Sequence, residues 1–283
     1  MKVGQPSRTA FATAYARAYH QTAAEPRVFT DPLAARIVDM TSDELTERDT
    51  ATFDTGDADE NLRRRLFIAA RSRYAEDTIA AAVTAGTRQV VILGAGLDTF
   101  AYRNPYADVR VFEVDHPDTQ AWKRQRLAEA GIEIPDSLMF TPVDFDRETL
   151  PAGLVTSGFD RTNPAVFAWL GVVMYLTSNV VMATLRVVAA QATPVQVIFD
   201  YLYPPSLAAP EARAAQQARF DRVAAIGEPF RTFFTTEGIR QHLLSIGFDQ
   251  VEDHSAAALL SGYLGRPISG SGAGGVLCAT RTG

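Results

Sequence analysis

The sequence predicts an α/β fold with a seven-stranded, mostly parallel β-sheet and helices on both faces. The apolar run Val90–Leu93 is typical of a strand that is buried on both faces of a parallel sheet. A glycine turn, Gly94-Ala95-Gly96, follows it directly, and the segment Val109–Pro117 then reads as a second strand that ends in acid. Strand, glycine turn, helix and acid-tipped strand together indicate a Rossmann-like unit that binds a nucleotide-like ligand.

Length and composition favour one large domain. The chain has 283 residues, is 47% hydrophobic and shows no compositional break. Five further strands are expected at Leu138–Val143, at the start of Pro164–Leu176, and at Val195–Tyr201, Phe248–His254 and Gly275–Arg281. The expected parts of the domain are an N-terminal helical cap and loop (1–61), a cofactor-binding core (62–203), a substrate-side helical insertion after strand five (204–232) and C-terminal strands (233–283).

Charge and cysteine content restrict the class of partner. The formal net charge is −6 and the Lys and Arg residues are scattered, which argues against a nucleic-acid groove or an anionic membrane surface. The single cysteine, Cys278, cannot form an intramolecular disulfide, and no dense His/Asp/Glu cluster suggests a metal. The longest apolar run, Ala165–Leu176, is too short to span a bilayer. We therefore expect a cytoplasmic monomer or homodimer that acts on a small molecule or peptide.

The glycine turn discriminates between two classes of cofactor. A dinucleotide fold uses a third glycine to bring helix and strand together, and here Thr99 stands at that position. Asp98 would also repel a pyrophosphate in the first turn after the loop. Glu113 and Asp115, at the end of the second strand, are both placed to accept hydrogen bonds from a ribose. A cofactor with a cationic, phosphate-free tail, such as S-adenosylmethionine, fits this pattern better than a dinucleotide.

The N-terminal segment allows alternative interpretations. The helix expected over Ser7–Thr22 places Tyr15 and Tyr19 on one stripe. That stripe either packs on the domain or roofs the pocket, where the tyrosines and Arg17 would touch a substrate. The acid-rich segment Thr41–Asn61 is predicted to be a solvated loop, with a lid as the alternative.

Other charged residues are interpreted from their place in the predicted elements. Asp31, just before a proline, is expected only to start a helix. Arg71 lies in the helix predicted over Leu62–Ala85 and is either a surface charge or a clamp for an amino-acid carboxylate. Asp144 and Phe145 follow the third strand, and they form either a helix cap with a core aromatic or an adenine-binding pair.

Several separated motifs, in order along nearly the whole chain, resemble the leucine carboxyl methyltransferase family. The resemblance is to its bacterial, actinomycete branch of S-adenosylmethionine-dependent O-methyltransferases, whose class I fold is Rossmann-like. The motifs are FTDPLAARIV (29–38), AARSRYAEDTI (69–79), LGAGLDTFAYR (93–103), FEVDHPDTQAWKR (112–124), PVDFDRETL (142–150) and GVVMYLT (171–177).

The resemblance implies a role for matching residues of this chain. Arg71 matches the arginine that pairs with the cofactor's methionine carboxylate. The glycine loop matches at Gly94 and Gly96, the ribose acid at Asp115, the adenine pair at Asp144 and Phe145, and a tyrosine near the transferred methyl group at Tyr175. Leu170 is a departure, because many relatives have a glutamate there that contacts the cofactor's amino group. Tyr19 and Tyr203 are further candidates for positioning the substrate.

The acceptor is expected to be an oxygen, with a carboxylate preferred to a phenol. A carboxylate with a pKa near ~4 is already ionised at neutral pH, whereas a phenol near ~10 needs a general base. Of the four histidines, only His116 lies in a strand-end motif, on the ribose side. A small-molecule or peptide natural-product acid is the expected substrate. The alternatives are a phenol or hydroxyl O-methyltransferase, a nicotinamide-dependent oxidoreductase and a non-catalytic S-adenosylmethionine-binding protein.

Overall fold

A computed structural model describes residues 8–23, 27–47, 58–144, 147–268 and 272–283. Seven strands within these ranges form one sheet. The strands are β1 Gln89–Leu93, β2 Arg110–Asp115, β3 Leu138–Pro142, β4 Ala165–Trp169, β5 Val195–Leu202, β6 Gln250–Ser255 and β7 Gly274–Arg281. Each lies within three residues of its predicted position, because buried apolar runs bounded by turns carry a strong signal.

The sheet has the order β3-β2-β1-β4-β5-β7-β6. The first five strands pair in parallel, and β7 runs antiparallel between β5 and β6. Val91 of β1 is in register with Phe112 of β2 on one side and with Phe167 of β4 on the other. The chain order reverses at this central strand, and open α/β sheets bind ligands beyond the carboxyl ends of the strands at such a reversal.

Ten α-helices occur in the described part of the chain, and several cover the two faces of the sheet. They are α1 Arg8–Ala23, α2 Ala34–Val38, α3 Ser42–Glu47, α4 Ala58–Thr84, α5 Pro117–Glu129, α6 Leu150–Thr156, α7 Ser178–Ala189, α8 Pro210–Ala225, α9 Thr236–Ser245 and α10 Ala256–Leu264. None of these helices has both the length and the apolar composition that a bilayer span requires. Helix α8 forms the predicted helical insertion after strand five. The helix predicted between the glycine turn and the second strand is wrong, because that segment forms only a short 3₁₀ turn, Phe100–Tyr102, before the proline at position 105.

Side chains alternate along the strands, so each face of the sheet has its own apolar core. One core contains Val91 and Phe167 together with apolar residues of α6, α7 and α9. The opposite core contains Val90 and Ile92 and is covered by α4 and α10. All five residues of β1 are buried, as are all five of β4, so the ends of these strands are held rigidly beneath the ligand crevice.

A third apolar cluster attaches the N-terminal cap to the rest of the fold. Ala14 and Ala18 of α1 pack with Ile37 of α2 and with Leu97, next to the glycine turn. The prediction of a solvated loop over Thr41–Asn61 is wrong for both ends of the segment, since residues 58–61 already belong to α4. Residues 42–47 form α3, because Leu45 is fully buried in the cap cluster and outweighs the acids around it. Residues 48–57, where a lid would fall, lie outside the described residues.

Candidate functional site

A cavity of about 380 Å³ opens at the carboxyl ends of β1, β2 and β4, beside the reversal of strand order. Residues following the strands line one side of it. These include Gly94, Gly96, Asp98, Asp115, Leu170 and Gly171. The cap, α4 and the segment after α8 supply the other side, which includes Thr9, Arg17, Arg71, Glu228 and Arg231, and Tyr175 reaches the cavity from the turn after β4. The cavity therefore lies where this architecture is expected to bind a ligand.

The glycine turn after β1 is shaped by two left-handed glycines. Gly94 has φ 64°, and a Cβ atom there would lie 2.5 Å from a methyl carbon of Val172. Gly96 has φ 43°, and its N–H donates to Asp115 Oδ2 at 2.6 Å. Glycine adopts these backbone angles without steric cost. The turn can therefore pass close to the ends of β2 and β4 and leave its own backbone facing the cavity.

The two acids of β2 have different environments. Glu113 is fully buried, with Lys123 Nζ 2.8 Å from its Oε2 and the Tyr102 hydroxyl donating to the same oxygen at 3.1 Å. Burial raises the pKa of the Glu113 carboxyl to about 7. Asp115, at the strand end, lines the cavity and accepts the His116 N–H at 2.7 Å. Of the two acids considered for a ribose, only Asp115 lines the cavity.

Arg71 enters the cavity from the middle of α4 and is only 6% exposed. It is therefore not a surface charge. Its Nη1 donates to Asp200 Oδ2, and Asp200 Oδ1 accepts the N–H of Gly171 at 2.6 Å. Gly171 has φ 76°, and a Cβ atom there would lie 3.1 Å from Arg71 Nη2. Thus a buried carboxylate from β5 joins the arginine to the turn that follows β4.

We expect Gly171→Ala to weaken S-adenosylhomocysteine binding about tenfold. The added methyl group would crowd the Arg71 guanidinium, and the positive φ would itself cost about 1–2 kcal/mol of folding stability. Gly265→Ala is the matched control, because Gly265 has φ 64° and a methyl group added there would meet open space, so that only the backbone cost remains. Calorimetric titration and thermal unfolding measure the two effects. Equal losses of affinity in both variants would contradict this account.

Glu228, just after α8, joins the insertion to the cap by hydrogen bonds at the edge of the cavity. Its Oε1 accepts the N–H of Arg8 at 3.0 Å, and its Oε2 accepts the N–H of Thr9 at 3.1 Å and the Thr9 hydroxyl. A carboxylate that accepts hydrogen bonds at a helix N-terminus is favoured by both the free N–H groups and the helix dipole. This contact brings Thr9 and Glu228 together in the cavity wall.

Tyr175 and Arg231 lie near this contact. Tyr175 ends the short turn after β4, and its ring centroid is 5.2 Å from that of Phe230. Burial raises the pKa of the Tyr175 hydroxyl. Arg231 is exposed at the cavity wall, and its backbone N–H donates to Met174 O at 2.7 Å. Among the described residues, no carboxylate forms an ion pair with the Arg231 guanidinium.

Asp31 has a larger role than the predicted start of a helix, since α2 begins only at Ala34. The Asp31 side chain is fully buried and accepts the Thr99 hydroxyl at 2.6 Å. Arg103 Nε lies 3.3 Å and Arg17 Nε 3.5 Å from its carboxylate oxygens. A threonine in place of the third glycine thus connects the segment after the glycine turn to the cap.

The sequence model of the leucine carboxyl methyltransferase family matches residues 10–189, which include the cap, Arg71, the glycine turn and Tyr175. The chain belongs to this family. It is a methyltransferase that depends on S-adenosylmethionine. Substitution of Thr99 for the third glycine of a dinucleotide fingerprint agrees with that cofactor.

Relatives in two bacterial groups are similar over most of their length. YktD of Bacillus subtilis is 31% identical over an aligned length of 264 residues, and the match covers 86% of each chain. Rv3787c of Mycobacterium tuberculosis is 33% identical over 267 residues, or 90% of this chain and 80% of the relative. Both are provisionally named S-adenosyl-L-methionine-dependent methyltransferases. The predicted resemblance to the bacterial branch of the family is confirmed.

Solved structures confirm the predicted class I Rossmann-like fold. A DUF574 family protein from Streptomyces avermitilis superposes with a TM-score of 0.58 at 14% identity, covering 98% of each chain. A protein from Thermobifida fusca, provisionally described as a methyltransferase, gives a TM-score of 0.55 at 16% identity and covers 100% of this chain and 97% of its own.

The structure brings most of the predicted cofactor residues of this methyltransferase into one cavity. These are Arg71, Gly94, Gly96, Asp115 and Leu170, together with the substrate candidate Tyr175. The chemistry of the cavity suits the cofactor, because the buried Nε of Arg71 has no hydrogen-bond partner among the described residues and Asp115 supplies a carboxylate. Leu170 places an apolar side chain in the cavity wall. The described residues contain no group of three or more His, Cys, Asp or Glu able to hold a metal ion.

Other predicted site residues lie outside this cavity lining. Tyr19 stacks on Tyr15 at 6.2 Å, with the Arg65 guanidinium 4.6 Å from its ring, so the tyrosine stripe packs within the cap. Tyr203 continues beyond β5, and its ring packs edge-on against Tyr201 at 5.6 Å. The two tyrosines are held by these packing contacts.

Asp144, the first residue of the predicted adenine pair, is not among the residues that line the cavity. Asp144 lies 3.4 Å from Arg147 in an ion pair typical of a turn after a strand. Phe145 lies outside the described residues. The role assigned to this pair by the resemblance therefore stays a prediction.

Proposed function

We propose that this methyltransferase transfers its methyl group to a carboxylate of a small-molecule or peptide acid, bound between Tyr175 and Arg231. The observation that carries the proposal is the exposed guanidinium of Arg231 at the cavity wall, for which the described residues supply no counter-ion. An anionic acceptor would supply that charge. Arginine also forms bidentate hydrogen bonds with a planar carboxylate.

The side chains around the cavity favour an acceptor that needs no general base. None of the four histidines is among the described residues that line it. His20 Nε2 accepts the N–H groups of Val28 and Phe29, and burial lowers the pKa of His20. His116 caps α5 through the N–H of Asp118. A carboxylate is ionised at neutral pH without assistance, whereas a phenol benefits from a general base, and the described lining has no histidine to act as one.

Positioning can supply most of the rate. The bound cofactor supplies an electrophilic methyl group on a sulfonium sulfur. The chain has to hold the acceptor oxygen in line with that group and exclude water, and correct orientation of two reactants is worth on the order of 7–11 kcal/mol. The cap residue Thr9, which meets Glu228, lies in one side of the cavity wall, and the Tyr175 ring, which packs on Phe230, lies in the wall together with Arg231.

The proposal is tested by following a labelled methyl group from S-adenosylmethionine into matched acceptors. The panel pairs each carboxylic acid with its primary amide and includes phenols of similar size. Label that enters acids only, and that mild alkali releases as methanol, is expected because esters hydrolyse under these conditions. Base-stable label in the phenols would refute carboxyl methylation in favour of an ether-forming enzyme.

We expect Tyr175→Phe to lower kcat by less than about tenfold and to leave the pH profile unchanged. The raised pKa of Tyr175 keeps its hydroxyl protonated through neutral pH, so the loss is at most one hydrogen bond, worth about 0.5–1.5 kcal/mol. With an active acid acceptor, kcat should be flat between about pH 6 and pH 9 in both proteins, because the acceptor is already ionised. A rise in kcat with pH that disappears in Tyr175→Phe would instead identify the tyrosine as a base.

A further inference from the structure

Asp200 is a buried acid that no sequence motif assigns to the site. It lies in β5, two residues before the end of that strand, and is only 2% exposed. Both of its carboxylate oxygens are used, one by Arg71 Nη1 and the other by the N–H of Gly171. A buried carboxylate is costly unless it is paired in this way, so Asp200 constrains both partners.

The contact determines which edge of the Arg71 guanidinium remains available. A guanidinium carries five N–H donors, and two parallel donors along one edge match a carboxylate. Asp200 occupies Nη1 of Arg71. Nε, which is buried, has no hydrogen-bond partner among the described residues, and the described chain contains none for Nη2 either. The Nε–Nη2 edge is therefore left for a ligand in the cavity.

The turn after β4 reinforces this arrangement. Leu170 places no charge at the cavity wall, and the next residue, Gly171, presents only its backbone beside Arg71 Nη2. Because the Gly171 N–H donates to Asp200, the turn and the guanidinium share one anchor. A change at Asp200 would therefore release both the arginine and the backbone on which it rests.

We propose that Asp200 is a positioning residue for the cofactor, which holds Arg71 so that its Nε–Nη2 edge receives the amino-acid carboxylate of S-adenosylmethionine. Asp200 also supplies the negative charge that keeps the guanidinium buried before a ligand arrives. The proposal concerns the cofactor end of the cavity and does not depend on the identity of the methyl acceptor.

Comparing the binding of two ligands to Asp200 variants distinguishes a role in positioning Arg71 from a general loss of structure. S-adenosylhomocysteine carries the amino-acid carboxylate, whereas 5′-methylthioadenosine shares its adenosine and thioether but lacks that group. Calorimetric titration of Asp200→Asn and Asp200→Ala should show S-adenosylhomocysteine binding weakened about tenfold or more, with 5′-methylthioadenosine binding within about twofold of wild type. The asparagine variant keeps the side-chain shape and a hydrogen-bond acceptor for Gly171, so it provides a test even if the alanine variant does not fold.

Asp253→Asn is the matched control, because Asp253 is a half-buried acid on β6 whose carboxylate accepts the Tyr201 hydroxyl and does not line the cavity. It should leave the affinities for both ligands unchanged. Equal weakening of both ligands in the Asp200 variants would make Asp200 a purely structural residue and overturn the proposal. Unchanged S-adenosylhomocysteine affinity would overturn it as well.

Discussion

Replacing Arg71 with methionine is expected to reduce S-adenosylhomocysteine affinity on the order of 100-fold and to lower the free energy of unfolding by about 3 kcal/mol. The first effect follows from losing charge-assisted hydrogen bonds to a carboxylate, worth about 1.5–3 kcal/mol. The second follows because Asp200 would remain buried without its cation, and breaking a buried pair from one side costs about 3–5 kcal/mol. Calorimetric titration and denaturant unfolding measure the two quantities.

A double variant separates binding from folding. Arg71→Met combined with Asp200→Leu removes both charges of the buried pair, and apolar replacement of such pairs is often neutral or stabilising. We expect it to recover most of the lost stability without recovering S-adenosylhomocysteine binding. If affinity returned together with stability, Arg71 would have no direct part in holding the cofactor.

Asp115→Ala is expected to weaken S-adenosylhomocysteine binding on the order of 100-fold as well. Each hydrogen bond between a ribose hydroxyl and a carboxylate is worth about 1.5–3 kcal/mol, and every 1.4 kcal/mol changes the dissociation constant tenfold. The substitution would also deprive the N–H groups of Gly96 and His116 of their acceptor, which loosens the glycine turn. Titration at constant pH and ionic strength gives the dissociation constants.

Asp115→Asn is the control for this loss of charge. The amide keeps one acceptor oxygen for the turn and has nearly the same shape, so a loss of about tenfold is expected. Glu113→Gln tests the other acid of β2. It should lower stability, because the Lys123 ammonium would stay buried without its counter-charge, but it should leave the affinity nearly unchanged. A larger loss of affinity in Glu113→Gln than in Asp115→Ala would reverse the assignment of the two acids.

The fold could be predicted from the sequence because each strand can be recognised from its own residues, without knowledge of distant contacts. Val90–Leu93 and Val195–Tyr201 are short apolar runs between turns, and a parallel sheet buries such runs on both faces. Over Thr41–Asn61 the acidic composition predicts a loop, whereas residues 42–47 form a helix around one buried apolar side chain. Leu45 packs against apolar residues that are distant in the sequence, and amino-acid composition does not reveal such contacts.

Some cofactor residues can be predicted from the sequence alone because their positions follow from the strand directly before them. Gly94 and Gly96 follow a strand directly, and Asp115 ends the next one, so their meeting at the sheet edge follows from the parallel pairing of these two strands. Tyr175 is assigned only through the family resemblance, and for Arg71 the helix pattern allows both a surface charge and a carboxylate clamp, between which the resemblance chooses.

The residues that escaped prediction act across long sequence separations. Asp200 and its partner Arg71 are 129 positions apart in the sequence, and Glu228 and its partner Thr9 are 219 positions apart. Asp31 lies 68 positions from Thr99. Each of these acids stands in a segment with a simple local interpretation, namely a strand, a loop after a helix and the start of a helix. Packing of α4 on the sheet brings Asp200 to Arg71, and packing of the cap on the rest of the fold brings the other two acids to their partners.

Hydrogen–deuterium exchange of the wild-type protein, with and without saturating S-adenosylhomocysteine, tests most directly that this cavity holds the cofactor. Ligand-induced protection is expected in the backbone segments around Arg71, at 93–98, at 113–116 and at 170–172, because these surround the cavity or anchor its walls. Protection confined to other parts of the sheet, with these segments unchanged, would contradict the account and place the cofactor elsewhere.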